Sequence, residues 1–160
     1  MKRIFFLLLG AALAGCASSP IPEGYKGPLA TIDDSYEYQT STMSHFFVLT
    51  EVDGRRIEDS IGKTAEVNYG RGFYMDPWVT GRQVPAQPLT LKLLGSTYHA
   101  APILALTGTS YSVSGEVQFH PQAGQRYIVK GTLGEDYRAV WLEDLDGQVV
   151  SQKIEVTSGD

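Results

Sequence analysis

Residues 113–133 read VSGEVQFHPQAGQRYIVKGTL, and this stretch decides the fold class. From Val113 to Phe119, apolar or small residues alternate with polar ones, which is the period of a β-strand with one buried face. Residues 121–124 contain Pro and Gly and indicate a turn, after which the alternation resumes from Tyr127. The stretch therefore predicts two strands joined by a short turn.

The residues that follow continue the same pattern. Residues 137–144 alternate along a third strand, and apolar side chains on both of its faces favour a central, doubly covered position with Trp141 in the core. Asp146-Gly147 indicates a hairpin, and residues 150–156 supply a further strand. The sequence thus predicts a C-terminal meander of four strands over residues 113–156.

The N-terminal half carries two more strand patterns. Residues 46–52 (FFVLTEV) are followed by Asp53-Gly54, a dipeptide suited to a two-residue hairpin because both of its positions need a positive φ. Residues 89–94 alternate Leu with polar residues. The predicted inner face of the first of these strands consists of Phe46, Val48 and Val52.

The middle of the chain is less regular. Residues 57–68 predict a short helix with Ser60 as its N-cap and with Ile61 and Ala65 on one side. The same residues could instead form an irregular loop, or a strand through residues 65–69. The helix is the favoured interpretation.

Residues 71–88 contain three Pro, which favours an edge segment or a long loop over a central strand. The whole pattern predicts an all-β protein, an antiparallel β-sandwich with one short helix, in a folded domain over residues 29–160. The 17 Gly, eight Pro and nine Tyr of the sequence suit many turns and strands better than helices.

The start of the chain has the composition of a secretory signal peptide. Lys2 and Arg3 precede an apolar run over residues 4–9, and small residues follow up to Cys16. A retained transmembrane helix is the alternative, but the apolar stretch is well short of the roughly 20 residues that span a bilayer. A small buried hydrophobe is the alternative interpretation of the cysteine itself.

Residues 13–16 (LAGC) resemble the lipobox of bacterial lipoproteins, L-[AS]-[GA]-C. The resemblance implies cleavage between Gly15 and Cys16, so that residues 1–15 are the signal peptide. It also implies a thioether-linked diacylglyceryl group and an N-acyl chain such as palmitate on Cys16, with no other cofactor. Ala17, in place of the Asp that favours inner-membrane retention in enteric-type bacteria, implies an outer-membrane lipoprotein that faces the periplasm.

Residues 16–28 predict the lipidated terminus followed by a flexible, extended tether, because they are rich in Pro, Gly and Ser. The sequence has 13 basic and 18 acidic residues, a net charge of −5. Loss of Lys2 and Arg3 with the signal peptide leaves 11 basic residues and a net charge of −7. This balance argues against nucleic acid as a partner. Lipidation of the only cysteine would also leave no thiol for a disulfide.

No catalytic residues and no metal ligands are predicted. His45, His99 and His120 lie in separate runs without the spacing of a metal site, and each is predicted to be a solvated strand residue. Asp144 and Asp146 form part of a D-x-D-G sequence, but the calcium-loop pattern is incomplete and a hairpin turn explains these residues better. No nucleophile motif or phosphate-binding glycine loop is present in the sequence.

A candidate binding surface lies in residues 69–78 (YGRGFYMDPW), where aromatic side chains surround one Arg. Aromatic residues and Arg carry much of the energy of protein interfaces. The alternative is that these side chains close one end of the sandwich. The candidate binding residues are Arg71, Phe73, Tyr74 and Trp78.

Residues 114–131 and 137–147, together with FFVLTEVDGRRI at 46–57, resemble small proteobacterial envelope lipoproteins of unassigned activity. The A-G-x-x-Y and W-[LI]-E-D patterns also resemble strands of transthyretin-like or Ig-like accessory domains. The resemblance implies a non-catalytic binding or assembly module of the envelope, bound to the membrane by its lipid and to a periplasmic or envelope protein. The alternative is an inhibitor or sensor of an envelope enzyme or ligand that acts through the Arg71 loop, and an envelope enzyme is the third hypothesis.

Overall fold

The computed structural model describes residues 18–157, which form ten strands and two helices. The strands are β1 (Leu29–Asp33), β2 (Ser35–Glu37), β3 (Met43–Val52), β4 (Arg55–Arg56), β5 (Gly81–Pro85), β6 (Leu89–His99), β7 (Ser112–Phe119), β8 (Arg126–Leu133), β9 (Tyr137–Asp144) and β10 (Ile154–Thr157). The helices are α1 (Ser60–Val67) and α2 (Pro102–Thr107).

The strands form two packed sheets, which confirms the all-β sandwich. The first sheet has the order β10-β9-β8-β1-β5, and the second has the order β2-β3-β6-β7 with β4 paired to β3. Strands β1 and β8 are parallel, and the other strand pairs are antiparallel. The Pro-rich stretch supplies β5, which lies at an edge as predicted. The centre of the main core, between the sheets, contains Ile32, Phe47, Leu49, Leu91, Leu93, Val129, Val140 and Leu142.

The predicted four-stranded C-terminal meander is wrong. Strand β7 pairs with β6 in the second sheet, whereas β8, β9 and β10 pair consecutively in the first. The turn at residues 121–124 therefore carries the chain from one sheet to the other. A period of two shows which face of a strand is buried, but it does not show which strand lies beside it.

The predicted inner face of β3 also needs correction. Phe46 and Val48 point to the outer side of the second sheet, while Val52 joins the core between the sheets. The β3–β6 register shifts between Leu49 and Glu51, so Thr50 is an extra residue in the ladder. This irregularity reverses the alternation for the residues beyond it.

Helix α1 confirms the favoured interpretation of residues 57–68, but its cap and its buried side differ from the prediction. Asp59 is the N-cap, and its side chain accepts a hydrogen bond from the Gly62 N–H at 2.9 Å. Ile61 of the predicted side packs against a hydrophobic cluster, whereas Ala65 is exposed and the fully buried residues are Ser60 and Thr64. Helix α2 was not predicted, and none of its residues is buried.

Trp141 lies outside the core. Its ring is half-buried, its Nε1–H donates to Glu143 Oε1 at 2.8 Å, and Lys153 Nζ lies 4.3 Å from the ring centroid. The buried residues beside it in β9 are Val140 and Leu142. The apolar residues of β9 therefore belong to two faces: Val140 and Leu142 face the core, and the Trp141 ring lies on the outer face of the first sheet.

We expect Trp141→Ala to lower the free energy of unfolding by about 1–2 kcal/mol, because a half-buried ring loses part of its apolar contact and one cation–π interaction. Leu142→Ala is the matched control in the same strand, and we expect it to cost about 2–5 kcal/mol because Leu142 is fully buried. Urea unfolding of both variants measures the difference. Equal losses of unfolding free energy in the two variants would contradict the position of Trp141 outside the core.

Candidate functional site

The candidate binding residues lie in a loop that we call the aromatic loop, residues 69–78, between α1 and β5. Its large side chains are exposed: Tyr69 is 93% exposed, Phe73 59%, Trp78 52% and Tyr74 50%. Arg71 is also half-exposed. The loop thus presents four aromatic rings and one guanidinium to solvent.

Met75 attaches the aromatic loop to the outer face of the second sheet. Its side chain is fully buried in a small second core with Phe46 and Val48. Ile61 of α1 packs against the same cluster, and the Met75 N–H donates to the Ser41 carbonyl at 2.9 Å. The alternative that these side chains close one end of the sandwich does not describe the four exposed rings, and Met75 packs on the outer face of a sheet instead.

Asn68 holds the two ends of the aromatic loop together. Its Nδ2 donates to the Asp76 carbonyl at 2.8 Å, and its Oδ1 accepts from the Asp76 N–H at 3.0 Å. Arg71 Nη1 lies 3.3 Å from Asn68 Oδ1 and 3.2 Å from Asp76 Oδ2. The Tyr74 hydroxyl donates to Asp76 Oδ1 at 2.9 Å, and this bond raises the pKa of Tyr74. These contacts fix the backbone between the exposed rings.

Two further features shape the aromatic loop. Gly70 and Gly72 have φ values of 80° and 68°, which glycine adopts without steric cost. The Trp78 N–H donates to Thr64 Oγ1 at 2.9 Å, so the returning chain runs alongside α1. The sequence located the rings, but the anchoring roles of Asn68, Thr64 and Met75 depend on residues that come together only in the folded chain.

A buried ion pair lies at the other end of α1, and sequence reasoning missed it. Asp34 is fully buried, and its carboxylate binds the Arg82 guanidinium through two contacts of 2.6 and 2.8 Å. It also accepts the Leu49 and Ser60 N–H groups, each at 2.9 Å. Burial raises the pKa of Asp34, and the Arg82 hydrogen bonds and charge oppose that shift. Because Asp34 contacts β3, β5 and α1 together, its role is structural.

Elsewhere on the domain, a cleft of about 560 Å³ is lined by aromatic side chains, among them Tyr38, His45 and Tyr111. The Tyr38 and His45 ring centroids are 5.2 Å apart, and Tyr111 meets His45 edge-on at 6.3 Å. Burial lowers the pKa of His45, Glu37 opposes this effect, and the charge of His99 adds to it. The sequence prediction treated His45 as a solvated strand residue, whereas it lies half-buried between two tyrosine rings.

The acidic turn after β9 is a hairpin. Asp144 Oδ1 accepts the N–H groups of Asp146 and Gln148 at 3.0 and 2.9 Å, and Gly147 has a φ of 79°. Among residues 18–157, no group of three or more His, Cys, Asp or Glu side chains is arranged to hold a metal ion. In the same part of the chain, no helix is long and apolar enough to cross a membrane.

Cys16, the cleavage position after Gly15 and the signal peptide lie outside the described residues. Comparison with family models, with curated proteins and with solved structures found no match to this chain. The candidate site is therefore defined by its own geometry.

Proposed function

We propose that this protein is a non-catalytic binding or assembly module of the bacterial cell envelope. A diacylglyceryl group and an N-acyl chain on Cys16 hold it at the outer membrane, facing the periplasm. The aromatic loop binds a periplasmic or envelope protein. The observation that carries the proposal is a set of four exposed rings around Arg71 on a backbone fixed by Asn68 and Met75.

The chemistry of the aromatic loop supports a protein as its partner. Large rings contribute apolar contact area with few rotatable bonds, and Arg71 adds hydrogen-bond donors for carboxylates or carbonyl oxygens of the partner. Arg71 is itself paired with Asp76 at 3.2 Å, and this ion pair orients the guanidinium before a partner binds. Anchored loops of this kind lose little conformational freedom when they bind.

Cys16→Ser should abolish fatty-acid labelling and leave the protein unprocessed or released from membranes, because no other residue can form the thioether. The measurement is labelling with a fatty-acid analogue, followed by membrane flotation after a high-salt wash. Ser18→Ala, two residues further along, is the control and should leave both readouts unchanged. A Cys16→Ser protein that is still labelled and still floats would contradict the lipid anchor.

Arg71→Ala and Phe73→Ala should each abolish capture of the partner while the melting temperature stays nearly unchanged. Exposed substitutions usually alter stability by no more than about 0.5 kcal/mol, whereas truncation of an interface anchor costs about 2 kcal/mol or more, which is roughly 30-fold in affinity. Mild crosslinking in the native membrane, followed by purification, identifies and quantifies the partner.

Leu145→Ala is the matched control, because Leu145 is 66% exposed in a different turn. We expect this variant to retain the crosslinked partner. The binding role would be contradicted if the Arg71 and Phe73 variants kept the partner, or if they lost it only because they unfold. Inhibition of an envelope lytic enzyme by the wild type, lost in the Arg71 variant, would favour the inhibitor alternative.

A further inference from the structure

Residues 18–20 of the predicted tether are bound to the folded domain. The Ser18 N–H donates to the Arg56 carbonyl at 2.9 Å, and the Ser18 hydroxyl donates to the same oxygen at 3.0 Å. The Arg55 guanidinium reaches back and donates to the Pro20 carbonyl at 3.0 Å and to the Ser19 carbonyl at 3.4 Å. Residues 18–20 therefore run against β4 of the β3–β4 hairpin.

The same residues line a cleft at the start of α1. Residues 18–20, Ile57, Glu58 and residues 80–82 surround a space of about 470 Å³. This places the docked segment beside the N-terminal end of α1, close to the Asp34–Arg82 pair. The hydrogen bonds to Arg55 and Arg56 give residues 18–20 a defined path along β4, with the cleft on their other side.

The position of Ser18 limits where a lipid on Cys16 can lie. Two residues span at most about 7 Å, so the thioether of the proposed lipoprotein cannot be far from the β3–β4 hairpin. This step rests on the proposed lipidation of Cys16. A docked segment would hold the hairpin end of the domain at the lipid headgroups.

The aromatic loop lies at the opposite end of α1. The helix begins at Ser60, beside the docked segment, and its eight residues extend for about 12 Å before Asn68 joins the loop. We propose that docking of residues 18–20 orients the domain on the bilayer, with the β3–β4 hairpin against the membrane surface and the apex of the aromatic loop away from it. The tether then acts as an orienting contact and the loop is presented to the periplasm.

Two single-cysteine labels test this orientation in the full-length, lipidated protein. Lipidation of Cys16 consumes the only natural thiol, so an introduced cysteine would be the only reactive one. Arg56→Cys places a fluorophore on the hairpin, where the side chain is exposed, and Tyr69→Cys places it on the aromatic loop. The protein is reconstituted in vesicles of phosphatidylethanolamine and phosphatidylglycerol, with or without doxyl lipids as quenchers.

We expect the hairpin label to be quenched at least about twofold more than the loop label, since two or more hydrogen bonds favour the docked state by roughly tenfold. Arg55→Ala removes the guanidinium contacts and should bring the ratio of the two signals towards one. Lys26→Ala is the matched control, because it also removes one positive charge, here from an exposed side chain, and leaves the contacts of residues 18–20 intact. It should keep the ratio of the parent protein.

Hydrogen exchange provides a second measurement without labels. Peptides that contain the Ser18 amide should exchange more slowly in the parent protein and in Lys26→Ala than in Arg55→Ala. Equal quenching of the two labels in protein that floats with the vesicles would overturn this inference and leave the lipid anchor standing. An unchanged quenching ratio in Arg55→Ala would also overturn it. Loss of flotation in the parent protein would contradict the proposed lipid anchor, and the orientation would fall with it.

Discussion

Asp34→Ala should lower the free energy of unfolding by about 3–5 kcal/mol, because it leaves the Arg82 guanidinium buried without its counter-ion. The two N–H groups of Leu49 and Ser60 would lose their acceptor at the same time. An unsatisfied buried donor carries its own desolvation cost. Urea unfolding followed by circular dichroism measures the loss. A soluble form of the domain is sufficient for this experiment.

Asp33→Ala is the matched control, because Asp33 is the last residue of β1 and directly precedes Asp34. Asp33 also pairs with an arginine, Arg126, but that arginine is exposed, so we expect only a small fraction of the loss. Asp34→Leu combined with Arg82→Met should be less destabilising than Asp34→Ala, because no unpaired charge remains buried. A loss for Asp34→Ala as small as that for Asp33→Ala would contradict the structural role of the pair.

Met75→Ala should cost about 2–5 kcal/mol, because it opens a cavity in the second core against Phe46 and Val48. It should also weaken partner capture by the protein that remains folded, since Met75 fixes the aromatic loop to the sheet. Denaturant unfolding gives the first quantity, and crosslinking at a temperature where the variant is folded gives the second.

Phe73→Ala is the control within the same loop. It removes a larger side chain, yet Phe73 is 59% exposed, so the stability loss should stay within about 0.5 kcal/mol. Comparison of the two variants distinguishes the anchoring of the aromatic loop by Met75 from the direct contact of Phe73 with the partner. If Met75→Ala were as mild as Phe73→Ala, the second core would not stabilise the loop, and the proposed presentation of the rings would lose its physical basis.

Several local features could be predicted from the sequence because they depend on neighbouring residues. Asp53 and Gly54 have φ values of 49° and 71°, as the predicted two-residue hairpin requires. The helix at Ser60–Val67 and the edge position of Gly81–Pro85 also follow from local patterns and from proline. The exposed residues of the candidate site were found in the same way, from a local concentration of aromatic letters.

The pairing of strands could not be predicted in the same way. The sequence around Val113 shows an alternating strand, yet its partner, β6, comes from residues 89–99 and not from the strand that follows. The irregularity after Leu49 in β3 moves Val52 to the inner core, and no letter in the sequence marks it. Pairing and register depend on which faces fit together across the two sheets.

By itself, the sequence of this protein determined the class of fold, the turns and the stretch that displays aromatic side chains. Only the tertiary structure decided which polar residues are buried and which loops are fixed. Asp34 meets an arginine 48 positions away, and Gly131 lies so close to Phe47 that a methyl group at its position would overlap the ring. Periodicity reports local preference, whereas burial and anchoring arise from contacts between segments that are distant in the chain.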